Sequence, residues 1–208
     1  MLQLITSADL AGITPEIILT LTALCILSLD MMRLSRESVS LIVSSIGLIT
    51  AGFVVIQGSI YNQVLFSGML KLNQYSIFFD ILYLVVGLFT LVFSKEYLIK
   101  KETKYRDEYP VLILFAVIGM MLMTRANDLI ILFLGLELLS LSLYVLVGFL
   151  RNNILSNESG IKYLLLGAFS TGFFLFGAAL TYGATGTTNY NEIALAVSSE
   201  HILSNVYL

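Results

Sequence analysis

Residues 127–150, NDLIILFLGLELLSLSLYVLVGFL, carry one charged side chain beyond Asp128, and that side chain is Glu137. The rest of the stretch is apolar or small. A run of this length is what a helix needs to cross the roughly 30 Å hydrocarbon core of a bilayer. Glu137 lies nine residues past Asp128, about 13 Å along a helix at 1.5 Å per residue, which puts its carboxyl near the midplane. A charge at that depth costs about 2.5–3.5 kcal/mol even on lenient insertion scales. Such a cost is carried where the acid has a partner, a wet cavity or a proton to move.

The rest of the chain repeats this character. Of its 208 residues 58% are hydrophobic and only 12% charged, against about 25% charged in soluble domains. Six apolar runs can be drawn, at 13–31, 39–57, 72–93, 110–123, 129–150 and 161–182. Lipid offers backbone groups no outside partner, so long apolar runs satisfy themselves as helices. The alternation of barrel strands is absent. The fold expected is therefore an all-α integral membrane protein with six transmembrane helices and a short interfacial C-terminal helix. Three parts follow: a three-helix segment at 1–109, helices four to six at 110–183, and a tail at 184–208. The first run opens on Thr14 as a cap and Pro15 at the first helical position, and the fourth opens on Pro110. That fourth run is short for a span and must borrow flanking residues. In the tail, Asn189 and Glu192 form a capping pair ahead of the short helix IALAV.

Charge in the connections sets orientation. Arg33, Arg36, Lys95, Lys100, Lys101, Lys104, Arg106 and Arg151 fall on one side, and only Lys71 and Arg125 on the other. The positive-inside rule puts the first group inside and both termini outside. The first residues lack the basic segment of a cleavable signal. The single cysteine, Cys25, permits no disulfide framework, and the chain has no metal cluster, phosphate loop, dinucleotide fingerprint or nucleophile constellation. Redox chemistry and nucleic-acid binding are not expected of it.

Candidate functional residues are correspondingly few. Glu137 reads as a proton carrier, in preference to a structural hydrogen bond with a neighbouring helix. Burial favours a neutral carboxyl and a nearby ammonium favours a charged one, so a group held between them can load and release a proton. Lys162, near the start of the sixth run, either snorkels to the headgroups or, if its helix begins earlier, lines a polar path. It is not expected to touch Glu137. Asp80, Asp128, Arg125 and Asp30 read as solvated helix ends or caps. Cys25, Met120, Met121 and Met123 read as packing, and His201 as a surface residue. Gly167, Ala168, Gly172 and Gly177 read as a close-packing helix face.

Several segments together resemble one family. GMMLMTRANDLIILFLGLELLSLSLYVLVGF and SGIKYLLLGAFSTGFFLFGAALTYGATGTTNYNEI, with TPEIILTLTALCILSLD and FSGMLKLNQYSIFFDIL before them, resemble subunit 2 (subunit N in bacteria) of NADH–quinone oxidoreductase, respiratory complex I. The resemblance is collinear with the N-terminal part of that antiporter-like membrane subunit. It implies that Glu137 and Lys162 belong to a line of charged groups and water coupling quinone reduction to proton translocation. It implies that this chain binds no cofactor, while the complex uses NADH, FMN, iron–sulfur clusters and ubiquinone. It also implies contacts with other complex I membrane subunits and membrane lipids. Family members have about fourteen helices, with two inverted five-helix repeats beginning at the fourth. Runs four to six are then an incomplete first repeat, lacking the seventh-helix lysine that pairs with the glutamate. A second chain carrying the C-terminal half is therefore expected. The compartment expected is the mitochondrial inner membrane, with the bacterial plasma membrane as the alternative. Two other readings are a subunit of a multi-subunit cation/proton antiporter and a scaffold that has lost pumping.

Overall fold

A computed structural model describes residues 6–32, 37–58, 63–100 and 107–198. Arg33, Arg36, Lys101, Lys104, Arg106 and His201 lie outside the described residues, so most of the basic loops do too.

Six helices are long and apolar enough to cross a membrane. They are α2 (Thr14–Met31), α3 (Glu37–Gln57), α4 (Gln74–Lys100), α5 (Glu108–Arg125), α6 (Leu129–Val147) and α7 (Ile154–Thr185). A short α1 (Ser7–Gly12) precedes them and α8 (Tyr190–Ser198) follows. The number and order of spans match the sequence reading. The ends differ. α5 gains Glu108, Tyr109, Thr124 and Arg125, the flanking residues its short apolar run needed. α4 runs on to Lys100, so Lys95 and Lys100 belong to its last turns and not to a loop. α7 begins seven residues earlier than its apolar run.

Two expected caps are corrected. Thr14 is the first residue of α2, not its cap. Ile13 holds the cap position with no side-chain bond, and the Thr14 hydroxyl donates instead to the Leu10 carbonyl at 3.0 Å. α1 and α2 abut there, leaving no free turn for Thr14 to cap. In the tail, Asn189 does accept the Asn191 N–H at 3.0 Å, but Glu192 accepts from the Thr187 hydroxyl and does not reach back to Asn189.

The core lies among α2 to α5. Leu19, Ala23 and Ile26 of α2 meet Leu48, Ala51 and Val55 of α3, Leu84 and Leu91 of α4, and Leu114, Val117 and Met121 of α5. α5 is the hub, touching α2, α3, α4 and α6. In lipid, helices associate through close packing and not through a hydrophobic driving force, so small residues let backbones approach. At the α5–α6 crossing a Cβ on Gly119 would stand 2.7 Å from the Gly135 carbonyl oxygen, and one on Gly135 would stand 2.9 Å from the Gly119 carbonyl oxygen. No other residue fits at either position without parting the helices.

One end of the bundle is closed by irregular structure that hydropathy did not predict. Residues 63–72 form a hairpin: β1 (Gln63–Leu65), a tight turn and β2 (Leu70–Leu72), antiparallel with Val64 opposite Lys71. Phe66 and Ser67 in the turn take positive φ values of 49° and 56°, a left-handed region costing roughly 1–2 kcal/mol per non-glycine residue. Asp9 offsets this by accepting the Phe66 N–H at 2.7 Å, while Thr6 and Asp9 form a capping box on α1. The Thr6 hydroxyl and the backbone N–H groups of Phe66 and Thr6 hold the Asp9 carboxyl below the usual aspartate range. Nearby, Asn127 and Asn189 both donate to the Gly68 carbonyl, at 2.7 and 2.9 Å, and Thr188 donates to Asp128 at 2.7 Å. The hairpin, the α5–α6 link and the α7–α8 link thus meet in one polar knot.

Candidate functional site

Glu137 is the ninth of nineteen residues in α6, about 12 Å from one end and 15 Å from the other. It is half-buried and makes no hydrogen bond or ion pair with any described residue. Phe133 and Tyr144, four residues before it and seven after, share its side of α6. Phe133 stacks on Phe174 of α7 with ring centroids 6.0 Å apart, and Tyr144 meets Tyr163 of α7 edge-on at 4.9 Å. Glu137 therefore sits on the α6 side that faces α7, between two aromatic contacts.

α7 covers that side thinly. Gly160, Gly167, Thr171, Phe174 and Ala178 make its sheltered stripe, at helical spacing. In the most apolar window of α5, 56% of residues are buried, against 17% in α6 and 6% in α7. Gly167 packs tightly on Tyr144, as the small-residue pattern predicted, but Gly172 and Gly177 have nothing within 4 Å of where a Cβ would be. For those two the expected close packing is not made within the described residues, because they lie on the side of α7 away from α6.

Lys162 is on that outer side as well. It stands eight residues into α7, about 12 Å from the helix start, and two residues from Gly160, some 200° round the axis. Its ammonium pairs with Glu158 one turn earlier, and both side chains are mostly exposed. The structure does not bring Lys162 to Glu137.

The structure instead gathers Asp80 and Arg125, which the sequence reading set apart as helix ends, with a third charge, Glu16. Arg125, the last residue of α5, donates through Nε and Nη2 to Oδ2 of Asp80 on α4, at 2.9 and 2.6 Å, and through Nη1 to the Gly12 carbonyl at 2.9 Å. Oε1 of Glu16, in the first turn of α2, lies 2.6 Å from the same Nη1. Side-chain exposure is 2% for Arg125, 7% for Glu16 and 0% for Asp80. The expectation of solvated ends is therefore wrong for Asp80 and Arg125: their helix ends are roofed by α1 and the hairpin. For Asp128 the cap reading holds, since it accepts the Ile130 N–H at 2.8 Å. Asp30 is exposed in the last turn of α2, as expected. Glu16 was missed altogether. A signal existed, because α2 starts, α4 starts and α5 ends on one side, so single charges at those ends share a depth.

Comparison with known proteins adds the family context. Residues 126–208 match the family described as NADH:quinone oxidoreductase/Mrp antiporter, TM. The chain is 43% identical over 207 residues to NADH-quinone oxidoreductase subunit N of Trichlorobacter lovleyi, covering 99% of this chain and 42% of that protein. It is 39% identical over 190 residues to the subunit N of Rhodospirillum rubrum, with 89% and 39% covered. A chain of respiratory complex I from Thermus thermophilus superposes with a TM-score of 0.72 and 28% identity, over 88% of this chain and 41% of that one. The chain spans about two fifths of the length of the curated relatives it matches.

Proposed function

We propose that this chain, a relative of NADH-quinone oxidoreductase subunit N over nearly all its length, serves as part of a proton-translocating membrane-arm subunit of respiratory complex I. On this reading it is a non-redox component of an NADH:quinone reductase. It holds no cofactor of its own; NADH, FMN, iron–sulfur clusters and ubiquinone are handled elsewhere in the complex. The observation that carries the reading is Glu137: an acid at mid-helix, without a partner among the described residues, on the side of α6 that α7 only partly covers. A buried acid left unpaired is costly unless another element completes its surroundings. A cation brought to the α6–α7 side would favour the carboxylate, and its withdrawal would return the proton.

We further propose that helices of another polypeptide, carrying the rest of such a subunit, cover this side, in contact with lipid and with other membrane subunits. The exposed Phe169, Phe173 and Phe176 of α7, with Lys162 on the same helix, support such a covering. Lys162 then acts in the proton path through groups on the covering helices, not through Glu137 directly. The membrane is read as a bacterial plasma membrane, because the relatives named above are bacterial, and both termini are read as outside from the basic charge of the opposite connections. The relatives lend the expected mitochondrial inner membrane no support.

Glu137→Gln in the assembled complex tests the reading. Quinone-coupled proton pumping is expected to fall at least about tenfold while the chain still assembles. Unchanged pumping with intact assembly would overturn the proton-carrier role and leave a scaffold. The matched family description also names antiporters, so a cation/proton antiporter subunit is the second reading. Co-isolation of the chain with NADH dehydrogenase activity decides for complex I, and its isolation with cation-exchange activity alone decides against.

A further inference from the structure

Two carboxylates and one guanidinium meet in the Glu16–Asp80–Arg125 cluster, which leaves one negative charge uncompensated. Among the described residues of the neighbouring elements, Asp9 of α1 is held by Thr6 and by the Phe66 N–H. α3 has no charged residue among its described side chains, and Lys71 of the hairpin is exposed. The guanidinium is unevenly shared. Asp80 receives two of its N–H bonds on one oxygen, and Gly12 receives a third. Glu16 touches Nη1 at 2.6 Å but off the N–H direction, and neither of its carboxylate oxygens has a hydrogen-bond partner. An ionised carboxylate in that state would lose its hydration and gain almost no hydrogen bonding in return. Such a site resolves the excess charge by taking up a proton.

We propose that the cluster is a second proton-binding site, in which Asp80 is the standing anion of Arg125 and Glu16 holds one exchangeable proton at neutral pH. The step is simple proton uptake: an O–H bond forms on the Glu16 carboxylate and the proton comes from water. The route is the cavity of about 330 Å³ beside the cluster, lined by Ser7, Gly12, Pro15, Gln63 and Arg125 among others. It lies between α1, the hairpin and the ends of α2 and α3, at the end of the bundle read as outer. It is therefore separate from Glu137, which lies about 13 Å deeper by its distance from Asp128. The inference stands whether or not Glu137 carries a proton.

Thermal unfolding of the chain, in the complex that contains it, across about pH 6 to about pH 9 tests the assignment. At neutral pH Glu16→Gln, a neutral isostere that needs no proton to fold, should melt above the wild type, whose ionised unfolded carboxyl must take up a proton, whereas Asp80→Asn should melt about 6 °C or more below the wild type. As pH rises the wild type should fall progressively further below Glu16→Gln, and the gap should level off once the proton leaves the folded site. Failure of Glu16→Gln to accumulate, or a loss equal to that of Asp80→Asn, would overturn the proposal. So would a gap between wild type and Glu16→Gln that does not change with pH.

Discussion

The two ionisable clusters of this protein are built to opposite rules. Around Arg125 the partners come from α2, α4 and the α1–α2 junction, all within one chain, and the side chains are almost fully buried. Around Glu137 no described residue offers a partner, and the neighbouring helix is largely open. The first cluster ties three helices and closes one end of the bundle. The second is open on its α7 side. The chain thus finishes one polar constellation within its first four spanning helices and leaves the other unpartnered among the described residues of its last two.

Replacing Arg125 breaks the comparison most severely. Arg125→Met leaves Asp80 and Glu16 buried without their cation, and a loss of about 3–5 kcal/mol of stability is expected in a denaturation series. A loss under about 1 kcal/mol would mean that water reaches the cluster and that the first region is no more closed than the second. Gly119→Ala comes next. Its methyl group would press on the backbone of α6, so α5 and α6 must part, at a cost of about 1–3 kcal/mol by the same measurement. That crossing joins the closed region to the open one, so the variant should also weaken retention of α6 and α7 against proteolysis. The smallest effect is expected at Lys162. In the isolated chain Lys162→Ala removes only an exposed ion pair with Glu158, about 0.3–0.5 kcal/mol. A clearly larger loss in the assembled complex than in the isolated chain would mark the outer side of α7 as covered there.

Much of this was legible in the residues. Six apolar runs set six spans, because an uninterrupted apolar stretch in lipid has only the helix available to it. Glu137 stood out for the same reason, as a lone acid at mid-run. The ends were read less well. For Lys162 the apolar run left two readings open, a helix end or a deeper place in a helix that starts earlier; α7 does start earlier, because Asn153 caps it through the Leu155 and Ser156 N–H groups and seven polar and mixed residues extend it before the apolar run begins. Asp80 and Arg125 looked solvated because hydropathy counts a charge near a run's end as lying in water. It has no means of seeing that a hairpin and a short helix fold over those ends.

Sequence alone determined the class of the molecule, the number and order of its spans and the place of its central acid along its run, since each follows from composition or spacing along one helix. Tertiary structure decided which charges meet and which stay apart. Glu16, Asp80 and Arg125 are far apart in the chain yet share one guanidinium, while Glu137 and Lys162, twenty-five residues apart, lie on different sides of an interface. The physical reason is that periodicity fixes where a side chain sits on its own helix, but only packing fixes what stands opposite it.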